Sequence, residues 1–223
     1  MAAYEADTYF TLSLPISSMR QAVRRKSDSQ PEPSLMELES AAQISSVRGL
    51  VHPHTDRLTH YDQLLERRSK YMDFIEGAAK DPNCALVFVG TAKPDISKKL
   101  DSLSPELITG LTEKLPDTSE AGRMQLAADL TKAGVTIPKG GEYGYMDELN
   151  LIYRAKKAVP KERFFYMESQ VNVDSVQREL GMRVDPDSVK ATFTGEKKEV
   201  CVRDNAGAFA KALKIPAERV RLE

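Results

Sequence analysis

The segment Cys84-Ala85-Leu86-Val87-Phe88-Val89 is apolar without a break. A run of strand length with no alternation predicts a strand buried on both faces, which we place at the centre of a sheet. Tyr9 to Leu14 has a different rhythm: Tyr9, Thr11 and Ser13 alternate with Phe10, Leu12 and Leu14, predicting a half-buried strand that Pro15 ends. Ile16 to Arg25 reads as a short helix, with Ile16, Met19 and Val23 opposite Arg20, Arg24 and Arg25. From Lys26 to Ser34 there is no apolar residue and there are two prolines, so burial cannot offset ordering entropy and a linker is expected.

Beyond the linker, helical spacing recurs. Ser34 can cap a helix carrying Leu35, Leu38, Ala42 and Ile44, which Gly49 would end. A longer helix is predicted from Leu58 to Lys80 on the spacing of Tyr61, Leu64, Leu65, Met72, Ile75 and Ala79. Arg68 falls on its apolar side and must reach solvent or find an acid. Ile96, Leu100, Leu103, Leu107, Leu111 and Leu115 continue the helical period, broken in two by Pro105. A further helix starts at Asp117 or Thr118, with Glu120 placed for a capping box, and stops at Gly134.

The remainder alternates shorter elements. Val135 to Pro138 reads as a strand, Asp147 to Val159 as a helix, Arg163 to Met167 as an aromatic-rich strand, and Val173 to Leu180 as a helix closed by Gly181. Val189, Ala191 and Phe193 alternate with polar residues, Thr194 to Lys197 turns, and Val200 to Val202 returns, predicting an antiparallel hairpin. A helix from Asn205 to Leu213 and a strand at Val220 to Leu222 complete the pattern. The expected fold is α/β or mixed α+β, a central sheet flanked by helices with an antiparallel hairpin near the C-terminus. Residues 1–33 form an extended N-terminal arm and linker, and residues 34–223 a single body with a ββαβ subregion at about 182–223.

Composition narrows the class. The 223 residues carry 32 basic and 33 acidic side chains, which argues against a surface that clamps a phosphate backbone throughout. From Lys190 to Glu223 the basic excess is slight, and there is no tryptophan to stack on bases, so nucleic acid is not an expected partner. No apolar run is long enough to span a membrane. No cleaved signal peptide is evident at the start, so a cytoplasmic or other intracellular, soluble protein is expected. Cys84 and Cys201 do not make a disulfide framework, and both read as small hydrophobes within strands.

Candidate chemistry gathers in a few segments. Gly90, Thr91, Lys93 and Asp95 follow the buried strand where a parallel sheet presents ligands, and glycine lets backbone N–H groups approach an anion. The spacing is neither a Walker loop nor a dinucleotide fingerprint, and Asp95 has the plainer role of a helix N-cap. The glycine-rich stretch Lys139 to Glu148 offers Tyr143, Tyr145 and Glu148 as ligand contacts, with Glu148 and Glu168 the acids to test if there is catalysis. His52, His54 and His60 surround Asp56 in an interhelix connector, and the plainer reading is a solvated loop; no metal site, cofactor or catalytic residue is assigned.

Arg20, Arg24, Arg25 and Lys26 form a basic docking patch immediately before Ser27, a position open to phosphorylation. The sequence therefore favours an interaction or assembly protein with an N-terminal docking arm, having a protein partner or self-association. The alternative is a small enzyme or nucleotide- or phosphate-ligand-binding domain built on residues 90–95 and 140–148.

Overall fold

A computed structural model describes residues 43–53, 61–115, 119–138 and 142–223, the side chains of 61–65 left aside. Within them, β1 (Ser46–Val51), β2 (Cys84–Gly90), β3 (Phe164–Glu168), β4 (Lys190–Gly195) and β5 (Val220–Leu222) form one sheet in the order β3-β2-β1-β4-β5. Every pairing between neighbours is parallel, so the fold is α/β. The helices are α1 (Tyr61–Lys80), α2 (Ile96–Asp101), α3 (Pro105–Thr109), α4 (Glu120–Lys132), α5 (Glu142–Ala158), α6 (Val173–Leu180) and α7 (Arg203–Leu213). A π-helical turn, Gly110–Lys114, extends α3, and another, Lys198–Val202, leads into α7.

The unbroken apolar run of β2 follows from coverage on both faces. Cys84, Leu86 and Phe88 pack with Tyr71, Phe74, Ile75 and Ala78 of α1 and with α5, whereas Ala85, Val87 and Val89 join Val176 and Leu180 of α6 and Phe209 of α7. Burying each large side chain contributes about 1.5–3 kcal/mol. Between β2 and α5 the chain adds α2, α3 and α4, which pack outside α5 in the same core. Hence α5 is buried from Gly144 through Ile152, and its polar Asp147 and Glu148 are met inside, whereas Asn150 accepts Arg154 Nε at 2.9 Å on Oδ1 and its Nδ2 has no hydrogen-bond partner among the described residues.

Several expectations are corrected. The antiparallel hairpin at 189–202 is absent: β4 lies between β1 and β5, both pairings parallel, so neither edge is open for a returning strand. Val200 to Val202, with Cys201, belong to the π-helical turn instead, with Val202 buried under the sheet. The C-terminal region thus runs β4-α7-β5. No helix continues to Gly49, because Ser46 to Val51 is the middle strand. Gly49 is needed there because a Cβ would sit 2.1 Å from the Phe193 ring. The run at 84–89 is an interior strand one place from the middle.

Val135 to Pro138 is not a strand, and α5 starts at Glu142, taking in part of the glycine-rich stretch. Pro105 does divide the leucine-rich stretch, opening α3 behind the N-cap Ser104. The arm, its basic residues Arg20, Arg24, Arg25 and Lys26, Ser27, His54, His60 and residues 139–141 lie outside the described residues. Among the described residues no helix is long and apolar enough to cross a membrane.

Candidate functional site

The loop after β2 meets an anion supplied by the protein itself. Glu148, fully buried on α5, accepts the N–H of Thr91 at 2.7 Å and the N–H of Ala92 at 3.1 Å on Oε1. Its Oε2 accepts the Thr91 hydroxyl at 3.0 Å. Gly90 makes room for this contact: a Cβ there would stand 2.5 Å from Glu148 Oε1 and 2.8 Å from Tyr166 Oη. Tyr166 donates its hydroxyl to the Ala92 carbonyl at 2.5 Å, fixing the loop from β3.

The candidate residues are therefore brought together only in part. Gly90, Thr91 and Glu148 are in contact, and Tyr145 lies close by, its hydroxyl pKa pushed up to about 12 by burial and by the charges of Glu148, Asp95 and Glu168. Lys93 and Asp95 are exposed, and Asp95 pairs with Lys99 at 3.2 Å instead of capping α2 with its side chain. Tyr143 is half-buried under the Arg123 guanidinium, 5.0 Å from its ring centre. Glu168 is exposed at the end of β3.

A second polar cluster lies at the carboxyl ends of β1 and β4. Glu196, directly after β4, accepts the Tyr71 hydroxyl at 2.9 Å and pairs with Arg67 at 2.5 Å, both from α1. Burial and the facing Glu196 carboxylate push the Tyr71 hydroxyl well above the usual tyrosine range. The residue after Arg67 in α1, Arg68, binds Asp147 of α5 through Nε at 2.7 Å and also through Nη2. Burial raises the Asp147 carboxyl, with Arg68 opposing that rise.

The backbone is unusual at this edge. His52 after β1, Ser169 after β3 and Lys197 after β4 have φ of 43°, 63° and 51°. A left-handed conformation at a residue with a Cβ costs on the order of 1 kcal/mol or more. His52 Nε2 lies 2.9 Å from the Ser169 carbonyl oxygen, linking two of these positions. Val51 stays paired with Gly195 and its carbonyl accepts the Glu196 N–H at 3.2 Å, and beyond this point β1 is followed by α1 on one face of the sheet and β4 by α7 on the other. Nothing local in the sequence singles out Glu196, Arg67 or Tyr71, which are joined only by the β1-β4 pairing. Across the comparisons made, the chain matches no protein-family model, no curated protein and no solved structure.

Proposed function

We propose that the chain is a small-ligand-binding domain that takes a phosphate-bearing molecule, a nucleotide or sugar phosphate, at the carboxyl ends of β1 and β4. The observation that carries this reading is the strand order β3-β2-β1-β4-β5, which reverses direction between β1 and β4. In open parallel sheets, the crevice at that reversal is where ligands bind. Left-handed His52 and Lys197 at the two strand ends add support, since backbone strain concentrates at binding sites.

Arg67, Lys197 and Lys198 supply positive charge at this edge, and Arg67 remains 42% exposed although paired. The β2 loop is a poorer candidate for an outside anion, because Glu148 occupies its N–H groups. Asp147 and Glu148 are held by Arg68 and by these N–H groups, which suits anchoring better than proton transfer. A thermal-shift screen with nucleotides and sugar phosphates tests the reading. At least one compound should raise the melting midpoint of the wild type, and Arg67→Ala with Lys197→Gly should abolish the rise. No rise with any compound, or a rise that survives both substitutions, refutes the proposal.

A further inference from the structure

The two edges of the sheet differ in protection. β5 is three residues long with Arg221 at its middle, a short and charged edge of the kind that resists further pairing. β3 is Phe164-Phe165-Tyr166-Met167-Glu168, without lysine, proline or a bulge. Among the described residues no strand pairs with its outer side.

The register of β3 fixes which groups face outward. Leu86 N–H donates to the Arg163 carbonyl at 2.8 Å and Ser169 N–H to the Gly90 carbonyl at 2.7 Å, so the odd-numbered residues turn their backbone groups toward β2. Phe164, Tyr166 and Glu168 therefore turn theirs outward. Side chains alternate independently: Phe164 and Tyr166 pack on the α1–α5 face, and Phe165 and Met167 on the α6–α7 face.

We infer that β3 is a self-association edge, pairing antiparallel with β3 of a second copy about a two-fold axis through Tyr166. That arrangement matches Phe164 with Glu168 of the other copy, and Tyr166 with itself, as hydrogen-bonded pairs. Phe165 and Met167 then oppose each other twice, as apolar pairs on the α6 face, where cross-strand contacts stabilise a sheet. A groove of about 520 Å³ runs beside β3 and is flanked by Arg178 and Glu179 of α6. Arg178 and Glu179 pair with each other at 3.3 Å but stay exposed, so two copies related by a two-fold axis can exchange these partners, which favours a second copy over an unrelated strand. The two five-stranded sheets become one.

Light scattering on the full chain, with hydrogen exchange read at the amides of Phe164, Tyr166 and Glu168, tests the pairing. The wild type should be a dimer with these amides protected. Phe165→Lys should give a monomer of unchanged circular dichroism in which their protection falls at least tenfold. If Phe165→Lys fails to fold, Glu168→Pro serves in its place, since it removes an outward N–H without touching the bonds to β2. A monomeric wild type, rapid exchange at these amides, or a dimer that persists in the folded edge variant overturns the inference.

Discussion

Glu148 and Thr91 stand 57 residues apart, yet the Glu148 carboxylate binds both the Thr91 N–H and its hydroxyl. This pair ties α5 to the end of β2 at a point where the loop would otherwise present bare N–H groups. Replacing Glu148 with alanine leaves the buried Ala92 amide and the part-buried Thr91 amide without their acceptor, at an expected cost of about 2–4 kcal/mol. Formate or acetate should recover part of that loss by occupying the emptied cradle, whereas chloride should not. Denaturant titration with each salt measures both effects.

Arg68 and Asp147 have side chains only 12% and 7% exposed. Arg68→Met strands a buried carboxyl and should destabilise the protein by about 3–5 kcal/mol at neutral pH, whereas Arg68→Met with Asp147→Leu should recover most of the loss. Without its arginine, Asp147 has a folded pKa further above its unfolded value. The single variant should therefore lose stability as pH rises from about 4 toward neutrality. Urea melts across that range test the double-mutant cycle and the slope together.

Two other carboxyls act with the opposite sign. Asp81 is held below the ordinary aspartate value of 3.8 by the Ser46 hydroxyl at 2.7 Å and the Asn83 N–H at 2.9 Å. Asp185 is held low by the Ser188 hydroxyl at 2.7 Å and the Asp187 N–H at 3.1 Å. A carboxyl depressed on folding contributes fully above its unfolded pKa and ceases to contribute as pH falls through its folded value. Asp81→Asn with Asp185→Asn should therefore lower neutral-pH stability slightly and give a shallower decline below about pH 4. Thermal melts at stepped acid pH reveal the change in slope.

Lys197 and Lys214 are both left-handed, but only Lys197 lies at the proposed crevice, since Lys214 caps the end of α7. Glycine at either position relieves a left-handed Cβ contact of about 1–2 kcal/mol against about 0.5–1 kcal/mol of added unfolded-chain entropy, so stability should rise by up to about 1 kcal/mol. Ligand-induced stabilisation should survive Lys214→Gly and be lost in Lys197→Gly. Melting curves with and without the compound found by screening separate strain kept for binding from strain at a helix end.

The elements legible in the sequence were those whose signal is local. The run at Cys84 to Val89 revealed a strand buried on both faces, and Pro105 with Ser104 marked a helix start. Arg68 was visible as a charge that must reach solvent or find an acid, and Asp147 supplies the acid from a helix that no short-range pattern connects to α1. What stayed hidden depends on which strands are neighbours. Ser46 to Val51 contains Arg48 and Gly49, an unpromising strand until Phe193 is seen filling the space above the glycine. Val200 to Val202 has strand-like composition, but the crowded position of β4 leaves it no partner. Gly90 and Thr91 were legible as an anion-binding turn and Glu148 as a ligand contact and an acid to test for catalysis; that they satisfy one another is a tertiary fact.

The middle position of β1 also bears on biosynthesis. β1, β2 and β3 are complete once Glu168 has left the ribosome, but Ser46 lies beside Lys190, which emerges later. Until then one side of β1 is an open hydrogen-bonding template on a nascent chain, the condition in which parallel sheets fold slowly and aggregate. Truncations ending before β4 should depend on chaperones for solubility far more than the finished chain does.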